Sequence, residues 1–208
     1  MNEIHDQRVE ALLGPDEGAA PSDWNRILTE FTASARKRGL VDVSYETHES
    51  PFGPLLIGST SKGLVRVGLS AEDEEAVLED LAARISPKIL KGSRPQIKLA
   101  RNQLDQYFSG KRRGFTVKLD WQLTQGFRRL VLDATESIPY GETRSYRDVA
   151  TVAGSPKAVR AAGSALAHNP LPIVVPCHRV LKTDGQIGKY LGGTAMKEQL
   201  LEMEKTAV

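Results

Sequence analysis

Cysteine is nearly missing from this chain of 208 residues: it occurs once, at Cys177. A single thiol excludes an intramolecular disulfide framework and any zinc site built from several cysteines, and it suits a reducing compartment. Long apolar runs are missing too; none approaches the roughly 20 residues that a membrane-spanning helix needs. The opening stretch, MNEIHDQRVEALLGPDEGAAPSDW, has no basic segment followed by an apolar one, so it does not read as a secretion signal and a cytoplasmic protein is expected. No internal repeat, low-complexity tract or Gly-rich phosphate loop is present. What remains, 40% hydrophobic and 26% charged, is the make-up of an ordinary globular chain with room for one large or two small domains.

Net charge is small, +2, but unevenly spread. Residues 1–100 hold 12 basic and 16 acidic side chains, whereas residues 101–208 hold 16 basic and 10 acidic. A net basic C-terminal half suits a polyanionic partner, and equally a solvated basic face.

Hydrophobic spacing predicts the elements. The first two dozen residues read as a loose extension with one short helix around DQRVEALL. A capped helix follows from Ser22 or Asp23 to Gly39, with Trp24, Ile27, Leu28 and Phe31 on one face. Alternation of Val41, Val43 and Tyr45 predicts a strand, and SPFGPLLIGSTSKGLVRVGL a hairpin. EDEEAVLEDLAARI predicts an amphipathic helix with Val77, Leu78, Leu81 and Ile85 inward. RNQLDQYFSG reads as a short helix ending near Gly110, and FTVKLDW as a short strand or extended link.

Downstream, TQGFRRLVLDATESIP spaces Phe127, Leu130, Val131 and Ala134 as a helical stripe behind a cap at Thr124. SYRDVATVAGSPKAVRAAGSALAHNP predicts two short helices around a tight turn, the second capped by Ser155 with Pro156 in its first turn. The pair fits a helix-turn-helix, or any corner between two helices. Ala158, Ala161, Ala162, Gly163, Ser164 and Ala165 make the second helix unusually slim, as close packing or close approach to a DNA groove would require. Arg160 is its only long charged side chain near the middle.

LPIVVPCHRV reads as a buried strand broken by Pro176, a break that would expose Cys177 at a strand end. A cysteine becomes nucleophilic through its thiolate, so it needs a base or nearby positive charge, here His178 and Arg179. Isolated cysteines are also commonly small buried hydrophobes. Near the C-terminus a helix begun around Thr194 would place Lys197, Leu200, Leu201 and Glu204 on one inward face.

The string IVVPCHRV, with NP upstream and GKYLGG and KEQLL downstream, resembles the O-6-alkylguanine-DNA alkyltransferase family. SYRDVA, GSPKAVRAAGSALAHNP and SPFGPLLIGSTSKGLVRV match it in order, so the resemblance runs from about residue 41 to about residue 205. It implies that Cys177 accepts an alkyl group from the exocyclic oxygen of guanine, with alkylthymine as a further candidate substrate. His178 would take the thiol proton through a water, with Glu204 polarising the histidine. Tyr146 would protonate the departing guanine and help rotate the nucleotide outward, and Arg160 would fill the gap in the stack. Asn169 would shape the turn before the acceptor, while Tyr190 and Leu191 would belong to the loop over the base.

Two positions depart from the family pattern. Leu191 stands where some members carry serine, and Lys189 replaces a smaller residue; Lys197 has an implied structural role.

The expected fold is α/β: an extension over 1–40, then an α/β domain over 41–110 with a short antiparallel sheet. A mainly helical domain over 111–208 would carry a winged-helix-like helix-turn-helix and the acceptor. The expected partner is double-stranded DNA bound through its minor groove, with Arg144, Arg147 and Lys157 on phosphates. No cofactor, metal or membrane is expected, and the protein would act as a monomer, once per molecule. The alternatives are an alkyltransferase-like protein that binds damaged DNA without chemistry, a helix-turn-helix transcriptional regulator, and a Cys–His hydrolase.

Overall fold

The structure, a computed structural model, describes residues 21–206. The short helix expected around DQRVEALL lies outside them. The described residues from Val41 onward form one compact unit, and those of the segment up to Leu40 belong to another. Within that segment helix α1 runs Pro21–Lys37. Ser22 and Asp23, the expected caps, lie within this helical span rather than ahead of it. Gly39, with φ +70°, ends it as expected.

In the main unit, β1 (Val43–His48), β2 (Leu55–Ser59) and β3 (Leu64–Gly68) form an antiparallel meander. A fourth strand, β4 (Ile89–Lys91), pairs parallel with β1, so the sheet is mixed, in the order β3-β2-β1-β4. Parallel pairing needs a crossover. It is supplied by α2 (Glu74–Arg84), capped by Asp73 and burying Val77 and Leu81. Alternation along β2 sends Leu56 to the face covered by α2. Leu55 and Ile57 go to the other face, against Ile97, Ala100 and Leu104 of α3 (Pro95–Phe108). Helix α3 starts at Pro95, six residues before the predicted start at Arg101.

Residues 117–120 are the extended link. Leu64 N donates to Lys118 O at 2.8 Å, and Asp120 N donates to Leu64 O at 2.7 Å. The link thereby adds to the free edge of β3, and the buried pair of Thr60 and Asp120 locks it. Helix α4 (Gly126–Glu136) follows, with Gln125 at its N-cap. The Thr124 hydroxyl instead donates to Trp121 O, so the predicted cap is displaced by one residue. The buried stripe is also rotated: Val131, Leu132 and Thr135 face inward while Leu130 is 52% exposed.

Strand β5 (Arg144–Ser145) leads into α5 (Tyr146–Val152), whose start is fixed by a capping box between Ser145 and Asp148. Helix α6 (Val159–Ala167) starts at Val159. Ser155 and Pro156 belong to the preceding turn, closed by Ala158 N donating to Ser155 O.

The expected strand over LPIVVPCHRV is absent. Leu171 to Val180 are all buried, but no neighbouring strand is available to most of them. The backbone is satisfied by Asn169 instead: its Nδ2 donates to Val175 O at 2.9 Å and its Oδ1 accepts from Leu171 N at 3.0 Å. Ile173 adopts a left-handed φ of 72°, a conformation costly for a β-branched residue and tolerated only where the surroundings dictate it. A single 3₁₀ turn, Cys177–Arg179, leads to β6 (Val180–Leu181), which pairs parallel with β5. Helix α7 (Gly193–Thr206) closes the fold with Leu200 and Leu201 buried, as its spacing predicts.

Gly63 marks how tightly the sheet and the link meet. A Cβ there would overlap the Lys118 carbonyl oxygen and crowd the backbone of Leu119, neither of which can rotate away. Gly63→Ala is therefore expected to destabilise the fold by about 2 kcal/mol, the usual cost of overpacking. Urea unfolding would check this; a midpoint equal to the parent's would mean that the link yields freely.

Candidate active site around the lone cysteine

Cys177 opens the 3₁₀ turn, so its side chain and that of His178 are swung apart by a helical step and both are buried. This corrects the expectation of a thiol exposed at a strand end: only 5% of Cys177 is accessible. Burial pushes the thiol pKa up, against the pull of the Asn169 amide and the Lys197 charge. Asn169 Nδ2 lies 3.2 Å from Sγ, and the same nitrogen holds Val175 O. The thiol is thus protonated at rest and needs a base to react.

A base is adjacent. His178 Nε2 lies 2.9 Å from Glu204 Oε1. A carboxylate only accepts, so Nε2 carries the proton and Nδ1 the lone pair. Nδ1 is buried and has no hydrogen-bond partner among the described residues. Burial lowers the histidine pKa while Glu204 raises it, with a net lowering, so the ring is a neutral acceptor at neutral pH.

Glu204 is 1% exposed and is surrounded by donors. Tyr107 donates to Oε1 at 2.6 Å, and Gly141 N to Oε2 at 3.1 Å. Arg179 places Nε 2.9 Å from Oε2 and Nη2 2.8 Å from Oε1, a two-pronged grip that is the strong form of this contact. Burial alone would raise the carboxyl pKa; the bonds from His178, Arg179 and Tyr107 outweigh it and hold it at about 2. Arg179 therefore serves the carboxylate, with Nη1 donating to Ile138 O at 2.6 Å, rather than the thiol. Tyr107 and Gly141 were not anticipated. The signal for Tyr107 was its place on the inward stripe Ile97, Ala100, Leu104, because a buried tyrosine hydroxyl needs a partner.

Tyr146, the first residue of α5, comes close to the thiol: burial raises its pKa first, and the proximity of Cys177 adds to it. Gly188 makes room for it, since a Cβ there would overlap the Tyr146 hydroxyl. Lys197 is fully buried, donating from Nζ to Val180 O at 2.6 Å, with that nitrogen 6.0 Å from the Tyr146 ring centroid. Tyr190 packs edge-on against His178, ring centroids 6.4 Å apart, and its hydroxyl has no partner among the described residues. Leu191 and Asn169 line a cleft of about 420 Å³ with Arg66, Glu72 and His168. Lys189 is exposed.

The remaining predicted residues lie on the surface of the α5–α6 pair. Arg160, Arg147 and Lys157 are exposed, and Arg160 shares its exposed face with Ala161, Ser164 and His168. Arg144 is exposed but paired with Glu142 at 2.8 Å. Among the described residues no cluster of three or more His, Cys, Asp or Glu could hold a metal ion, and no helix is long and apolar enough to cross a membrane.

Two family models match. Residues 43–121 match the ribonuclease-like domain of 6-O-methylguanine DNA methyltransferase, and residues 126–206 match its DNA binding domain. The inducible methylated-DNA–protein-cysteine methyltransferase of Bacillus subtilis is 41% identical over 151 residues, covering 73% of this chain and 84% of that protein. The Methanosarcina acetivorans protein of the same name is 38% identical, covering 77% and 97%. Among solved structures, Mycobacterium tuberculosis OGT in complex with DNA superposes with a TM-score of 0.69 at 36% identity, covering 79% of this chain and 94% of that one.

The depressed Glu204 carboxyl has a consequence for stability. A group whose pKa falls on folding stabilises the fold above its unfolded value and loses that contribution as pH drops through its folded value. For Glu204 the window runs from 4.5 down to about 2, and its size is on the order of 3 kcal/mol. Glu204→Gln should cost a similar amount at neutral pH, because Arg179 is left buried without its counter-charge. It should also flatten the loss of stability across that window, read by denaturant unfolding at stepped pH. An unchanged acid slope would show that Glu204 is not the titrating group.

Proposed function

The chain belongs to the 6-O-methylguanine DNA methyltransferase family, and from that premise we propose how its residues divide the work. It repairs alkylated DNA directly, transferring the alkyl group to a cysteine of its own, so each molecule acts once. DNA is its partner. A binder without chemistry and a transcriptional regulator are not favoured, since relatives matching most of the chain carry the methyltransferase name.

One observation carries the assignment: the reaction needs a cysteine, and the sequence contains only Cys177. His178 Nδ1 takes the thiol proton by way of one water, and the Nε2–H bond to Glu204 supports the imidazolium that forms. The thiolate attacks the alkyl carbon, forming the S–C bond as the C–O bond to guanine breaks. Tyr146 gives a proton to the departing guanine, equal in number to the one taken from sulfur. Asn169, donating to Sγ, holds the nucleophile in line and stabilises its charge. Tyr190 and Leu191 flank the flipped base.

The base must leave the stack to reach a thiol that is 5% exposed, because no side chain reaches its target inside a duplex. We assign the wedge to Arg160, whose neighbours Ala161 and Ser164 are small enough for α6 to enter the minor groove. Arg147 and Lys157 meet phosphates; Arg144 joins them only by releasing Glu142. The matched spans support the division into an extension (1–40), an α/β domain and a DNA-binding acceptor domain. We keep the α/β domain at 41–110 and the acceptor domain at 111–208; the two separate matches, over residues 43–121 and 126–206, support a two-domain reading. Action as a monomer in the cytoplasm completes the reading.

Mixing the protein with an oligonucleotide that carries methylguanine should add one methyl group, on the peptide containing Cys177. Cys177→Ser should abolish transfer and leave DNA affinity nearly intact. Intact-mass and peptide mass spectrometry read both; a second increment, or methylation elsewhere, would sink the assignment.

Arg160→Ala should slow repair of duplex DNA at least about tenfold more than transfer from the free base, as loss of a wedge that offsets unstacking would. Single-turnover rates on the two substrates test it. Equal slowing on both would place Arg160 in the chemistry and refute the wedge.

A further inference from the structure

Tyr107 stands apart from the other groups around the acceptor, because it arrives from α3, in the span matched by the ribonuclease-like domain, and not from the DNA-binding span. Its ring is wholly buried and packed against Phe108, Phe115 and Tyr140, with centroids 5.5, 5.4 and 6.0 Å away. Only the hydroxyl does anything polar. It donates to Glu204 Oε1 at 2.6 Å and lies 3.4 Å from His178 Nε2, so tyrosine and histidine share one carboxylate oxygen. Its own pKa is driven upward, first by burial and then by Glu204, so it stays a donor throughout the working pH range.

We propose that Tyr107 is a positioning residue that restrains the acceptor thiol. By occupying Glu204 Oε1 it fixes the carboxylate on His178 Nε2–H and limits how strongly the histidine–glutamate pair draws the proton from Cys177. The physical reasoning concerns charge. Each donor on a carboxylate spreads its negative charge and weakens its pull on any other proton nearby. With Tyr107 removed, that pull falls more heavily on His178, the imidazolium gains stability, and Cys177 ionises more readily. Restraint matters here because the thiol is used once: a standing thiolate would be consumed by oxidants or stray alkylating agents before it met DNA.

The other groups facing the pair leave this role to Tyr107. Arg179 and Lys197 oppose a positive imidazole from the 3₁₀ turn and α7, and Cys177 adjoins it in the chain. Tyr140, with Arg113 and Arg179 over its ring, faces Glu204 without bonding to it, and its hydroxyl has no partner among the described residues. Tyr190 packs on the imidazole edge-on.

The inference rests on Cys177 and His178 acting as proposed above, and its test is independent of DNA. Because the chain has one cysteine, ultraviolet thiolate absorbance, with Cys177→Ser subtracted, titrates Cys177 alone. In Tyr107→Phe the midpoint should fall by about half a pH unit or more, the scale of one hydrogen bond to a charged group. Replacing Tyr107 by 3-fluorotyrosine, a stronger donor of the same shape, should raise the midpoint and keeps the test available should the phenylalanine variant not fold. A midpoint unmoved in both, or moved in the opposite senses, would overturn the proposal. Failure of methyl transfer to Cys177 would instead overturn the functional reading and leave this titration standing.

Discussion

A carboxylate almost sealed from water, Glu204, is the point on which the site is hung. Burying such a charge costs several kcal/mol, about what an uncompensated ion in a protein interior demands. The cost is offset by donors from three places in the chain: Tyr107 on α3, Gly141 before β5, and His178 and Arg179 on the turn that opens at Cys177. Each of these partners is fixed by having to reach the same two oxygens. The orientation of the 3₁₀ turn, the tautomer of His178 and the docking of α7 all follow from that requirement. Once they are set, the neighbouring thiol has no freedom left except its proton.

The thiol itself is governed by the opposing demands of burial and reactivity. Burial keeps it protonated; Asn169 and Lys197 favour the charged form. Asn169 is the economical part of this arrangement, because one amide organises both the backbone before Cys177 and the sulfur itself. It also explains why the apolar run before Cys177 is coiled. A strand there would need a neighbour for its N–H and C=O groups, and a polar side chain supplies that satisfaction locally.

The candidate site was legible in the sequence where it lies in consecutive residues, PCHRV, and where helical spacing turns Lys197, Leu200, Leu201 and Glu204 inward along α7. The hairpin, α2 and α7 were legible through periodicity, which is strong for elements with one buried face. Strand β4 was missed because its three residues are too few to show a period, and with it went the parallel pairing. LPIVVPCHRV misled because periodicity cannot separate a buried strand from a buried coil. The caps at Thr124 and Ser155 failed by one and three residues, within the range where competing local hydrogen bonds decide a helix start. Tyr107 lay about 70 residues from its histidine partner, a separation that no local pattern encodes.

The position of Tyr107 bears on inheritance. The two matched spans look like separable modules, yet the first sends a hydroxyl into the second's buried charge, and Val67 N and Arg66 hold Pro170 O beside Asn169. A lineage that shed the sheet-bearing span would uncover the flank of its own thiol and leave the buried Glu204 short of one donor. Trimming of the gene between the two matched spans is therefore constrained by contacts that the spans themselves do not reveal. The DNA-binding span is a recognisable unit of sequence whose buried carboxylate draws one donor from outside it.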